Sequence, residues 1–402
     1  MKVESRIGPE ADIAVVGAGI TGLAMALALA REGAGVALLA AGPLPTQEGE
    51  ATDGRTAALL LPAIKLLTRL GVFDPAGLGA EPLYRLRIVG GGRRGIGEGT
   101  ALVFDAAELG HDAFGWNVPN ATLTTRLARA VDRTAAITVH AGAGVQRLGL
   151  EAGRILLEAG GKKLAARLVI GADGRDSVVR QTAGIRTIER DHRQSAIVCR
   201  FAHKRPHRNI STELHRKGGP FTMVPLPGRN SSLVWVDRTE LSEARLHLDD
   251  DAFSTAMAPL AEPWLGAIGH ISRRHAFPIR ARLARRLTAP RRVLIGEAAH
   301  VMSPLGAQGL NLSLRDVATL ARLLAAHAGD PGDPALLAAY ADARAADIKT
   351  RFWGIDTLNH LVMRSPPPFR LASSMALGLL DRLPPARRTL MQGLMEGVPA
   401  GL

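Results

Sequence analysis

The stretch ADIAVVGAGITGLAMALALAREGAGVALL, from Ala11 to Leu39, leaves the chain little freedom in how it folds. A short apolar run with β-branched residues, Ile13 to Val16, precedes glycines at 17, 19 and 22. An Ala/Leu-rich helix pattern follows, closes at Gly33 to Gly35, and gives way to a second apolar run. That order predicts a βαβ unit. In this context Gly17 permits a tight turn, Gly19 lets the backbone approach a pyrophosphate, and Gly22 lets helix pack on strand. The free N–H groups and dipole of the helix N-terminus attract phosphates. Such a unit is expected to bind a dinucleotide. An acid usually ends the second strand and grips the ribose, but GVALLAAG places Ala40 there. Losing a hydrogen bond to a charged acceptor costs about 1.5–3 kcal/mol. Glu48 and Glu50, in the next loop, are the acids that can reach back.

Beyond this unit, Pro62 opens a predicted helix, PAIKLLTRLGV, with Gly71 as its C-terminal cap. NATLTTRLARAV, from Asn120 to Val131, predicts another helix, while ITVHAG and RILLEAG read as paired strands. ARLVIGADG is a buried strand running into a turn at Asp173 and Gly174. From about Ile188 to Pro278 the pattern changes to alternating strands with a helical excursion near Leu248 to Leu260, as expected of a mostly antiparallel sheet. RRVLIGEAAH restores the buried-strand pattern, and GLNLSLRDVATLARLLAAHA predicts a strong helix. The tail from about Pro334 is helical with a break at Pro366 to Pro368. In GEAAHVMSPLGAQGLNLSLRD, Glu297 leaves a strand end as a carboxylate suited to polyol hydroxyls. Gly306, Gly309 and the helix that follows offer N–H groups to a negative ligand.

Taken together, the glycine fingerprint, GADGRDSVVR and GEAAHVMSPLGAQGLNLSLRD resemble, in order and spacing, the class A flavoprotein aromatic hydroxylases with the p-hydroxybenzoate hydroxylase fold. Within that group DGRTAALLLPAIKLLTRLGV, FGWNVPNATLTTRL, FTMVPLPGRNSSLVWV, RRHAFPI and YADARAADI are most similar to the ring hydroxylases of ubiquinone biosynthesis. The resemblance implies a mixed α/β chain with three parts. A Rossmann-like FAD-binding domain (1–75, 96–187 and 285–333) interleaves with a mostly antiparallel substrate domain (76–95 and 188–284), and a helical C-terminal region (334–402) follows.

By the same resemblance Gly17, Gly19 and Gly22 serve the FAD pyrophosphate, and Arg55 and Arg126 the phosphates or ribityl chain. Asp173 lies near the cofactor and its nicotinamide donor, and Gly296 and Glu297 serve the ribityl hydroxyls. Pro304, Gly306, Gln308, Gly309, Leu310 and Asn311 face the flavin ring. NADH or NADPH reduces the flavin, O₂ adds to give a hydroperoxide, and oxygen passes to a phenol, so no side-chain nucleophile is required. The implied substrate is a polyprenylated phenol bound beneath the strand ending MVPLP; Trp116 and Trp235 either line the ring pocket or, at least as readily, pack in the core. The chain departs from the family at Ala40, at Glu297 (usually Asp) and at Ala307 (usually Gly). These departures keep open a non-catalytic paralogue that scaffolds a ubiquinone-biosynthesis complex. A soluble aromatic-catabolism hydroxylase is the other alternative.

Charge adds partners and location. The net charge of +13 raises nucleic acid or an anionic membrane. Aromatics are only 4% and do not interleave the basic segments, which disfavours a base-stacking platform, so no nucleic-acid partner is expected. Only seven of the 50 basic residues are lysine, so genome-wide composition is an equal explanation for the charge. PFRLASSMALGLLDRLPPARR alternates apolar and cationic groups suited to anionic lipid, with a structural helix as rival reading. No apolar run reaches the roughly 18 residues of a spanning helix. The expectation is a cytoplasmic protein, peripheral at the inner membrane face. Cys199 and His300 are expected to pack rather than react, and Pro206 spoils the helix that a His203–His207 metal pair would use.

Overall fold

The computed structural model describes residues 10–46, 54–90, 101–142, 144–303, 308–364 and 384–396. Its first unit is the strand Glu10–Val16, the helix Ile20–Arg31 and the strand Val36–Leu39, the two strands pairing in parallel. Lys162–Gly171 and then Arg292–Leu294 extend this sheet on one side, and Ile137–His140 on the other, all in parallel. Strands buried on both faces read as continuous apolar runs. Val36–Leu39 is accordingly buried at every position. One expected pairing fails. Ile137–His140 pairs with Val36–Leu39, whereas Arg154–Ala159 forms a meander with Val145–Glu151 and Lys162–Gly171. Both segments are apolar enough for either partner, and the tight turns at Ala152–Gly153 and Gly160–Gly161 settle the choice locally.

The second sheet is built on the 17-residue strand Thr187–His203, flanked antiparallel by Asn230–Arg238 and His275–Ala284. Beyond Asn230–Arg238 come Phe221–Leu226 and Ile210–Leu214, then Arg85–Val89 in parallel and Ala101–Asp105. Ala101–Asp105 therefore lies in this sheet, although the resemblance assigns 96–187 to the FAD-binding domain; its antiparallel pairing with Arg85–Val89 decides its place. On one face Phe253, Met257 and Leu260 of the helix Asp250–Leu265 pack over Ile197, Cys199, Phe201, Leu233 and Trp235. Trp235 is thus core, in edge contact with Phe221 (5.2 Å between ring centres), and does not line the opposite face. Burial in this layer pushes the Cys199 thiol up to about 12. On that opposite face, Ser232 Oγ lies 2.9 Å from Thr56 Oγ1. Thr56 begins the strand Thr56–Leu60, which pairs with Gly115–Pro119 in a three-stranded sheet that bridges the two large ones.

Helices Gln308–Ala325, Pro334–Arg364 and Pro384–Glu396 complete the described chain. The expected break at Pro366–Pro368 lies outside the described residues. Among the described residues no helix is long and apolar enough to cross a membrane. The parallel sheet and first helix meet so closely at Gly22 that an added Cβ would sit 1.9 Å from Gly17 O. Gly22→Ala is expected to destabilise the protein by about 1–3 kcal/mol or more through overpacking, read as a lower thermal midpoint with an unchanged far-UV spectrum.

Candidate functional site: a flavin slot

The glycine turn owes its shape to two close approaches. Gly17 has φ +107°, and a Cβ there would lie 2.3 Å from Ala172 O. Its N–H donates to Leu39 O (2.9 Å), and Ala172 N–H donates to Val16 O (2.8 Å), so the turn threads between two strand ends. Gly19 caps the helix that follows. Gly19 has no side chain to accept from the first-turn amides, and the turn contains no acid. A Cβ on Gly19 would meet nothing within 4 Å. A helix N-terminus without a side-chain cap and with open space at its capping residue suits a pyrophosphate.

Two remote segments join this turn. Asp173 Cα lies 2.9 Å from where a Gly17 Cβ would be, and its Oδ2 accepts from Val178 N (2.7 Å) and Val179 N (3.2 Å). Gly296, at φ +60°, packs so that a Cβ would meet Thr21 Cγ2 at 3.0 Å and Ser313 Oγ at 3.3 Å. Thr21 belongs to the first helix and Ser313 to Gln308–Ala325. The turn at 17–22, Asp173, Gly296 and the start of the helix Gln308–Ala325 therefore converge. At that start Gln308 is buried, Gly309 has open space where a Cβ would stand, and Leu310 packs on the main core. Asn311 is buried: its Oδ1 accepts from Leu60 N and its Nδ2 donates to Ala58 O, both at 2.8 Å. Its carboxamide thus holds the bridging strand, a role more specific than general contact with a flavin ring.

The remaining expected positions have contacts of their own. Arg126 reaches Asp74 Oδ2 (3.5 Å) at the edge formed by the short helix Pro75–Leu78, and its contacts lie there and not at the glycine turn. Arg55 is exposed and its guanidinium stands 5.0 Å from the Phe277 ring centre, between the two large sheets. Glu297 is exposed beside Gly296. Ala40 is buried at the end of its strand, donating to His140 O (3.0 Å), so no carboxylate grips a ribose from that position. Pro304, Gly306, Ala307, Glu48 and Glu50 lie outside the described residues. His203 and His207 are each bonded to protein groups, including Arg205 O (2.7 Å) and Leu226 O (2.9 Å). Among the described residues no cluster of three His, Cys, Asp or Glu side chains is placed to hold a metal ion.

Behind the slot runs a buried ionic chain that motif reading missed. Asp316 is fully buried and accepts from Gly296 N (3.0 Å), while its carboxylate also meets His300 Nε2 (2.6 Å) and Arg344 Nε (2.7 Å). His300 is therefore anchored, not merely packed. Burial pushes the Asp316 carboxyl up, but His300 and Arg344 outweigh it and hold it below the ordinary value. Arg344 Nη1 continues to Asp347 Oδ2 (2.9 Å), and Arg351 Nε meets Asp347 Oδ1 (2.8 Å). Burial raises Asp347 too, yet Arg344 and Arg351 bring it down to about 2. Burial and the neighbouring Arg351 lower Arg315 to about 10, despite Asp347 beside it. The signal was present in the sequence: Asp316 stands on the apolar face of its helix, and Arg344, Asp347 and Arg351 follow at spacings of three and four.

A parallel sheet with a glycine turn at its first βα junction, joined to a second, mostly antiparallel sheet, defines a nucleotide-binding fold. The family described as FAD binding domain matches residues 10–350, and the chain belongs to it. It is 33% identical over 395 residues to a ubiquinone hydroxylase, UbiL, of Rhodospirillum rubrum, covering 97% of this chain and 91% of that one. It is 31% identical to a 3-demethoxyubiquinol 3-hydroxylase of Escherichia coli, covering 92% of this chain and 95% of that one. In fold it is similar to the p-nitrophenol 4-monooxygenase PnpA of Pseudomonas putida, with a TM-score of 0.78, 18% identity and coverage of 95% and 96%. FAD is the cofactor, and the uncapped first turn, the open Gly19 and the open Gly309 fit it.

Removing one member of the ionic chain leaves buried charges uncompensated. Asp347→Asn is expected to cost about 3–5 kcal/mol at neutral pH. Because the folded value of Asp347 is depressed, its contribution is present above about 4, the unfolded value, and is lost as pH falls toward the folded value of about 2. Urea unfolding of wild type and variant across that range should show their difference shrinking.

Proposed function

We propose that the protein is an FAD- and NAD(P)H-dependent monooxygenase that hydroxylates the ring of a polyprenylated phenol in ubiquinone biosynthesis. The observation that carries the reading is the convergence of Gly17–Gly22, Asp173, Gly296 and Gln308–Asn311, in a chain similar along its length to ubiquinone hydroxylases. FAD, when bound, supplies electron transfer from NAD(P)H to O₂ and oxygen insertion. In this reading the amides after Gly19 hold the pyrophosphate. Asp173 and Glu297 face the hydroxyls and the reductant. The first-turn amides at Gly309 to Asn311 stabilise negative charge on the pyrimidine edge. The phenol lies between that edge and the sheet face carrying Val224 and Ser232, which pair across Phe221–Leu226 and Asn230–Arg238. Asn117 Nδ2, donating to Pro225 O (2.8 Å), fixes the roof of that space to the bridging sheet. Purified protein should hold about one FAD per chain and oxidise NAD(P)H faster with a prenylated phenol. Ala40 favours one rival, a scaffold without catalysis, which predicts instead a colourless protein indifferent to added FAD.

A prenylated substrate resides in lipid, and the surface offers a matching contact. Trp353 is 39% exposed, with the Arg190 guanidinium 5.6 Å from its ring centre. Arg186, Arg285, Arg286 and Lys349 are exposed nearby, where the loop Leu283–Thr288 meets the helix Pro334–Arg364. Exposed tryptophan among cations suits the interface of an anionic bilayer. The protein should co-sediment with anionic vesicles at low salt and release at high salt, and Trp353→Ala with Arg190→Ala should weaken this. Equal binding by the variant would remove the contact from this face.

A further inference from the structure

The helix Pro384–Glu396 has no part in the chemistry outlined above, yet a buried and a half-buried arginine from two other helices, Arg351 and Arg315, end on its last-turn carbonyls. Arg351 Nη2 donates to Gly393 O (2.9 Å), and Arg315 Nη2 donates to Met395 O. Cations at a helix C-terminus satisfy free carbonyls and complement the dipole. Arg351 does more. It is 8% exposed, its Nε is held by Asp347 Oδ1 (2.8 Å), and its Nη1 donates to Gln308 Oε1. Gln308 is the first described residue after the glycine loop and opens the helix whose amides face the flavin ring in our reading. One planar guanidinium therefore joins three acceptors from three segments.

A second contact runs in parallel. Met391 and Met395 are buried in one cluster with Leu60, Leu102, Phe104 and Phe114. Leu60 is the residue whose N–H is bonded to Asn311 Oδ1 (2.8 Å). The C-terminal helix thus meets the first turn of the helix Gln308–Ala325 at Gln308 through Arg351, and at Asn311 through Leu60.

We propose that Arg351 is a positioning residue which ties the C-terminal helix to the first turn of the helix Gln308–Ala325, so that docking of the C-terminal helix and FAD binding are coupled. The proposal rests on the reading that the amides from Gly309 to Asn311 face the isoalloxazine. Once the two events are coupled, each must favour the other by the same factor.

Hydrogen exchange on the unaltered protein, with and without FAD, tests this directly. FAD should slow exchange both at 308–312 and in the helix Pro384–Glu396; unchanged exchange in that helix overturns the coupling. Arg351→Met and Arg351→Lys should each raise the FAD dissociation constant about tenfold and alter the bound-flavin absorption spectrum, because neither side chain spans three acceptors. Truncation after residue 383 should do the same, and adding Arg351→Met to it should have little further effect. Folded variants with wild-type FAD affinity and spectrum would overturn the proposal. Gly309→Val separates the two readings. If it leaves FAD binding intact, the site assignment fails; if it weakens binding while the Arg351 variants do not, only the coupling fails.

Discussion

The carboxylate of Asp316 is the point on which the site's architecture turns. It is wholly buried, and it is tolerable there only because an amide, an imidazole and a guanidinium converge on it. Those partners come from the turn after the strand Arg292–Leu294, from the strand His300–Val301 and from the long helix Pro334–Arg364. Satisfying one charge therefore fixes Gly296 against Thr21 and sets the helix Gln308–Ala325 beside the glycine turn. Apolar packing alone could accommodate small slips between these elements, whereas directional bonds to one carboxylate resist them.

From this anchor the ionic chain runs outward, through Arg344 and Asp347 to Arg351 and the C-terminal helix. Its members Asp316, Arg344, Asp347 and Arg351 are buried, whereas Gly19 and Gly309 have open space beside them. The protein spends its strong side-chain electrostatics on geometry, and leaves the ligand to be held by helix N-termini and close-approaching glycines.

Much of this was legible in the sequence where local chemistry decides the outcome. The βαβ unit, the helix beginning at Pro62 with Gly71 at φ +74° beyond its end, and the helix Asn120–Asp132 follow from periodicity and capping. Gly17 and Gly22 stand where a Cβ would collide, as their spacing within the motif implied. What escaped depended on tertiary pairing. The partner of Ile137–His140, the sheet that takes Ala101–Asp105 and the outward face of Trp235 are choices between equally apolar alternatives. Arg126 shares a helix face with no marker for which acid it meets, and Asp74 lies 52 residues away. The ionic chain left a trace in Asp316 and the 344–347–351 spacing, but nothing local told which charges would find one another.

The central claim is that distant segments of this chain form one slot for FAD. A crystal structure of the FAD complex tests it most directly. The account predicts the pyrophosphate at the amides following Gly19, and the pyrimidine edge of the flavin at the amides of Gly309 to Asn311. Density for the cofactor elsewhere, or a slot between these segments closed by side chains in the complex, would contradict it.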